Sequence, residues 1–354
     1  MVDDIRKSDI IDFLRFLATM FVFFLHSKSY LFFLDQNNAF LRFFFPPAWG
    51  GVWIFIFISA YLFSLQVQKG RYCFCDLNGK IILQKIWKYY FKRFLKLAPM
   101  YYFYIIFFEL FSLNSMLLSN PKNFLKLFFF CSNGVGAPNG IGHLWYVSTI
   151  FQLYLLFPFL YVFFERLKEF RISLFIFILI SSFLWRVLSN FFKIDWYSKI
   201  YTFSISNLDF IFAGFITTDL SSKFKSSKTH MLLSDIFFFL LIIFNNYIYS
   251  IGFLSYYKYL LPSLYILICS YLILAHVEID YKICFFKAFS KISYNFYIFH
   301  IAVLVFTSQI IQMILKTKSF PNSVVLFLFY VFSFCITFLI SYFFSCSFAL
   351  KKDK

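Results

Sequence analysis

Stretches of about twenty mostly apolar residues recur along the chain, separated by short polar segments. They fall at 9–30, 49–68, 96–113, 143–164, 172–191, 201–219, 231–250, 259–277, 292–314 and 323–346. A helix needs about 20 apolar residues to cross a hydrocarbon core of roughly 30 Å. In lipid the backbone must satisfy its own hydrogen bonds, and a helix does so. The pattern predicts an all-α, polytopic membrane protein with about ten transmembrane helices. One further piece, Phe124 to Cys131, is too short to cross and reads as interfacial or re-entrant.

The polar segments give these crossings a direction. With the N-terminus in the cytoplasm, alternating crossings place most of the 33 Lys and Arg residues on the inner side, as the positive-inside rule requires. The densest block is Lys69, Arg71, Lys80, Lys85, Lys88, Lys92, Arg93 and Lys96, set against one acid, Asp76. An even number of crossings also puts the tail Lys351-Lys352-Asp353-Lys354 inside.

Composition narrows the class. The 354 residues are 61% hydrophobic, include 61 Phe and have a mean hydropathy of +0.76, which excludes an ordinary soluble domain. No polar stretch is long enough for a separate soluble domain, so 1–354 reads as one transmembrane domain. The net charge of +17 lies between the apolar segments. It therefore speaks against nucleic acid and for anionic headgroups or an anionic ligand on the inner side. The seven Cys residues, with Cys73 and Cys75 as the one close pair, lack metal-ligand spacing and read as ordinary thiols. The first apolar run is too long for a signal peptide and lacks a cleavage site, so it reads as a retained span.

Within that first span stand Asp12, Arg15 and His26. Arg15 and His26 are eleven positions apart, nearly three whole turns, so they share one helix face at a spacing of roughly 16 Å. Ionisable groups at the centre of a span cost about 2.5–3.5 kcal/mol on insertion scales. One reading has Arg15 snorkelling to the inner interface beside Asp12, with His26 near the outer one. The other makes His26 a general base, since a reference pKa of about 6.5 suits proton removal from a hydroxyl. Arg15 would then orient or neutralise an anion.

Four further blocks carry chemistry-bearing residues. Gly50-Gly51 open the second span, where small Ser59-Ala60 permit close helix contact. Lys92, Arg93 and Lys96 precede Pro99, either as an inner anchor or as a phosphate-binding cluster. A glycine-rich outer loop, Asn133 to Gly142, runs into His143, Trp145, Ser148, Gln152 and Tyr154, and His143 is a candidate acceptor contact. Ser293, Tyr297 and His300 form a polar stripe on an apolar helix, at spacings of four and three. Glu109 and Asp209 are intramembrane carboxylates, read as helix-to-helix partners.

These blocks, in this order, resemble the acyltransferase 3 family of integral membrane acyltransferases. The similar segments are Arg15 to His26, Trp53 to Phe63, Arg93 to Pro99, His143 to Pro158 and Ser290 to His300. The resemblance implies transfer of an acyl group, commonly acetyl, from coenzyme A in the cytoplasm to a hydroxyl, often on a lipid-linked or surface saccharide. It implies roles for Arg15, His26 and Arg93, and for Trp145, Tyr154 and His300. Asp12, Ser59 and Ser293 would support them. In this reading His26 and Arg15 are catalytic, Lys92, Arg93 and Lys96 hold the acetyl-CoA or other acyl-CoA donor, and His143, Trp145, Tyr154 and His300 meet the acceptor. No metal is expected. Lys96 stands where the family has Arg, and Ala60 where it has Gly.

The expected setting is the cytoplasmic membrane of a bacterium. A lipid-linked oligosaccharide flippase or polymerase shares this composition and remains the competing class. An acyltransferase acting on a small molecule shares the donor side.

Overall fold

The computed structural model describes residues 9–30, 49–76, 79–111, 116–133, 141–195, 200–250, 254–276, 283–316 and 320–349. Among them there is no sheet, only the isolated antiparallel bridge between Cys75 and Ile81. The helices are α1 (Asp9–Tyr30), α2 (Trp49–Gln68), α3 (Leu83–Phe111), α4 (Met116–Ser119), α5 (Pro121–Phe128) and α6 (Trp145–Arg166). They continue with α7 (Arg171–Phe191), α8 (Leu208–Ser221), α9 (Lys228–Ser250), α10 (Leu254–His276), α11 (Cys284–Leu315) and α12 (Asn322–Ala349).

Eight helical stretches are long and apolar enough to cross a membrane: Asp9–Tyr30, Gly50–Gln68, Gly142–Arg166, Lys168–Phe191, Lys228–Asn246, Tyr259–His276, Cys284–Leu315 and Asn322–Ser347. The chain is an all-α, multi-pass membrane protein. The two remaining expected crossings take another form. Residues 96–111 are the second half of the 29-residue α3, whose first half carries the lysine block. The 201–219 stretch is interrupted by a 3-10 turn at Ile205–Asn207, leaving the 14-residue α8. Of the short Phe124–Cys131 piece, residues 124–128 are the end of α5, which starts at Pro121 and is capped by the Asn120 side chain accepting from Asn123 N at 3.1 Å. Its final carbonyls find donors on α3: Tyr101 Oη gives to Leu127 O at 2.7 Å and Tyr102 Oη to Phe128 O at 2.8 Å.

The fold divides into two compact units. The first comprises 1–52, 242–252 and 279–354, and so gathers α1, α11 and α12. Its core is Met20 and Phe23 of α1, Phe289, Ile292, Phe296 and Leu304 of α11, and Val325, Leu326 and Phe329 of α12. Polar contacts fix the helices in register: Thr307 Oγ1 meets Ser333 Oγ at 2.7 Å, and Ser308 Oγ donates to Tyr30 O at 3.0 Å. At the start of α2, Gly51 lies so close to α1 that a Cβ there would sit 2.6 Å from Ala18 O.

The second unit comprises 53–241 and 253–278. In it α7 and α8 run antiparallel and are joined by ion pairs near both ends. Arg186 forks onto Asp209 with Nη1–Oδ2 at 2.7 Å and Nη2–Oδ1 at 2.9 Å, both side chains buried. Arg171 reaches Asp219 at 2.6 Å and also Glu165, while Gln68 Nε2 donates to Asp219 at 2.6 Å. The expected pairing of Asp209 across helices is thus present, and Glu109 accepts from the backbone N of Leu117 at 3.3 Å. The small residues of α2 face Gly214 of α8, where a Cβ would lie 2.5 Å from Tyr61 N and 2.7 Å from Ala60 Cβ. By contrast α7 shows Phe177, Ile180, Leu184 and Phe191 outward, an apolar surface suited to lipid.

Candidate active site

In the first unit α1 carries Asp12, Arg15 and His26 on one unbroken helix, as the spacing required. Asp12 is buried and Arg15 nearly so, with Nη1 3.7 Å from Asp12 Oδ1. That is an electrostatic pairing, longer than a hydrogen bond. It lowers the cost of holding either charge there. Thr19 Oγ1 donates to Arg15 O at 2.8 Å, locking this turn.

Three turns further along, His26 meets His300 of α11, with ring centroids 5.2 Å apart and planes inclined at 52°. His300 is buried, and its Nδ1 lies 2.6 Å from Tyr297 O. A carbonyl accepts only, so Nδ1 carries the proton, and a neutral ring keeps its lone pair on Nε2. The contact between the two imidazoles is one of ring against ring. Ser293 lies two turns before His300 on the same buried face, its Oγ given to Ser290 O at 2.9 Å.

In the second unit Arg93 of α3 enters a box of tyrosines. Its guanidinium carbon lies 5.1 Å from the Tyr89 ring centre, 5.1 Å from Tyr154 and 6.0 Å from Tyr72. Gln66 Oε1 accepts from Nη2 at 3.4 Å. The ring faces attract the cation without neutralising it. Burial pushes the Tyr89 phenol well above its usual range, opposed in part by the Arg93 charge, so it stays a neutral hydroxyl. Among the described residues Arg15, Arg171 and Arg186 each face a carboxylate, whereas Arg93 faces neutral groups.

The structure thus brings together several residues that the sequence left in separate blocks, and parts others. His26 joins His300, and Tyr154, expected at the acceptor, lies against Arg93. Lys92 and Lys96 are exposed, whereas Arg93 turns inward. His143, expected at an outer mouth, is buried with its ring edge-on to Tyr104 at 5.5 Å. Trp145 is buried against Tyr201 at 5.1 Å. Most of the loop ahead of them, 134–140, lies outside the described residues. Gln152 spends its amide on Phe130 O at 2.8 Å and Asn133 Oδ1 at 2.5 Å, and takes Ser204 Oγ at 2.6 Å, a structural role. Ser59 is half-buried beside the Ala60–Gly214 crossing.

Sequence reasoning missed Tyr72, Tyr89 and Gln66. Tyr89 had a signal, since it stands four residues before Arg93 on the same helix face. Tyr72 and Gln66 had none, because only folding brings their segments to α3.

The described residues thus include a histidine pair, His300 buried and His26 half-buried, suited to taking up a proton, and an inward cation, Arg93, that faces neutral groups and is suited to holding an anion. The family model described as "Acyltransferase domain", acyltransferase 3, matches residues 9–346, nearly the whole chain. The chain belongs to this family and is an acyltransferase. That sets aside the flippase and polymerase class. No curated protein and no solved structure matches it.

Proposed function

We propose that this enzyme moves an acyl group, acetyl in the first instance, from a coenzyme A thioester to a hydroxyl of a lipid-linked or cell-surface saccharide. The observation that carries the donor half is Arg93, an inward cation facing tyrosines and a glutamine. A donor bearing phosphates supplies the missing negative charge. Lys92 and Lys96, being exposed, contribute attraction at longer range, not the primary contact.

His26 takes the proton of the acceptor hydroxyl as its oxygen attacks the thioester carbonyl carbon. The tetrahedral intermediate then expels the coenzyme A thiolate, the C–S bond breaks, and the proton held at the imidazole passes to the sulfur. The acyl ester is the product. His300 holds His26 in orientation and accepts part of the developing positive charge. Arg15, roughly 16 Å from His26 along α1, is assigned to a resident anion of donor or acceptor, not to the oxyanion. No metal enters this scheme. The active orientation places both termini in the cytoplasm and the enzyme in a bacterial cytoplasmic membrane, with the acceptor reaching it from outside.

The test is release of free coenzyme A thiol from acetyl-CoA by the purified full-length chain in lipid. Wild type should release thiol, faster with a saccharide acceptor present, and His26→Ala should not. Thiol release by His26→Ala at the wild-type rate rules out His26 as base.

A further inference from the structure

The tyrosine box contains two buried donors that find no third group to satisfy them. Tyr89 Oη and Arg93 Nε are both shielded from solvent; the guanidinium and the phenol oxygen interact with each other, and neither atom reaches a further acceptor among the described residues. They belong to neighbouring turns of α3, with the guanidinium 5.1 Å from the Tyr89 ring centre. Buried donors are almost always satisfied, and a pair left open beside an unneutralised cation marks a place for an anionic oxygen. The other buried cation of this unit shows the contrast: Arg186 spends its fork on Asp209 and Ser206 O. Tyr154 and Tyr72 cover further sides of Arg93, and Gln66 holds Nη2, so the guanidinium keeps one orientation.

We propose that Tyr89 and Arg93 form a two-point receptor for a phosphate oxygen of the acyl donor, with the Tyr89 hydroxyl and Arg93 Nε as its hydrogen-bond donors. Tyr72, Tyr154 and Gln66 are positioning residues. The proposal rests on the coenzyme A reading above and adds to it a specificity residue, Tyr89. A hydroxyl paired with a planar guanidinium selects a phosphoryl oxygen by direction as well as charge. A lysine at position 93 would supply charge alone.

The experiment measures equilibrium binding of coenzyme A, pantetheine and inorganic pyrophosphate to the full-length chain in lipid nanodiscs, with thermal unfolding of each variant as a folding control. Tyr89→Phe keeps the ring and removes only the hydroxyl. We expect it to bind coenzyme A and pyrophosphate about 10-fold more weakly, with pantetheine binding unchanged. Arg93→Lys should show a similar loss, and it decides the matter if Tyr89→Phe does not fold. Wild-type affinity for coenzyme A in both variants overturns the receptor and leaves the donor reading standing. Tyr89-dependent binding of pyrophosphate, without coenzyme A binding by wild type, keeps the receptor and overturns the donor reading. Failure of wild type to bind either probe overturns both.

Discussion

The imidazole of His26 lies against that of His300, 5.2 Å between ring centres, although the two residues belong to helices at opposite ends of the chain. This contact packs one intramembrane histidine ring against another. The Nδ1 of His300 is committed to Tyr297 O at 2.6 Å, so the ring has one tautomer to offer. A base held this way is oriented before the acceptor arrives.

That relationship predicts the effect of His300→Phe, which preserves an aromatic ring and removes both nitrogens. The variant should remain folded and lose about 100-fold in kcat, the low end of what acid–base groups contribute, with donor KM little changed. Steady-state kinetics on the reconstituted protein check it. A donor KM that rises with kcat untouched assigns His300 to binding instead.

The Arg186–Asp209 pair predicts a stability asymmetry. Removing one partner, as in Asp209→Leu, leaves a buried guanidinium uncompensated and should cost about 3–5 kcal/mol. Removing both, in Arg186→Met/Asp209→Leu, should recover most of that loss. Thermal unfolding of the purified variants reads the difference. A double variant no more stable than Asp209→Leu alone contradicts the assignment.

Gly214 predicts a packing defect. A Cβ at this position lies 2.5 Å from Tyr61 N, which is backbone and has little room to give. Gly214→Ala should destabilise by about 1–3 kcal/mol, and Gly214→Leu should abolish folding of the α2–α8 crossing. A Gly214→Ala variant with an unchanged unfolding temperature shows that the helices separate more easily than this packing implies.

The lysines beside Arg93 predict a contrast. Lys92→Gln and Lys96→Gln remove exposed charges and should change donor KM by about 3-fold or less, in a salt-dependent manner. Arg93→Gln should raise it by about 10-fold or more. Equal effects from all three place the donor on the helix exterior.

Much of this architecture was legible in the apolar pattern, and the exceptions have physical causes. The pattern at 96–113 is apolar throughout, yet its helix begins earlier at Leu83 because lysines with long stems continue an interfacial helix without a break. The 201–219 run contains Asn207, whose side chain takes the local carbonyls of Tyr201 and Phe203, and the chain turns there before α8. At the site, Arg15 and His26 were readable because one helix holds both. The facing of His26 by His300 and of Arg93 by Tyr154 was not, since periodicity assigns a face without naming what lies across from it. His143 and Trp145 looked open because an outer glycine-rich loop precedes them, but aromatic neighbours Tyr104 and Tyr201 cover both.

The measurement that bears most directly on the account is the mass spectrum of surface glycans from cells lacking this gene, with wild type or His26→Ala restored. The account predicts that deletion removes an acetyl increment, that wild type restores it and that His26→Ala, though inserted at wild-type levels, does not. Glycans that keep their acetyl groups in the deletion strain would contradict it.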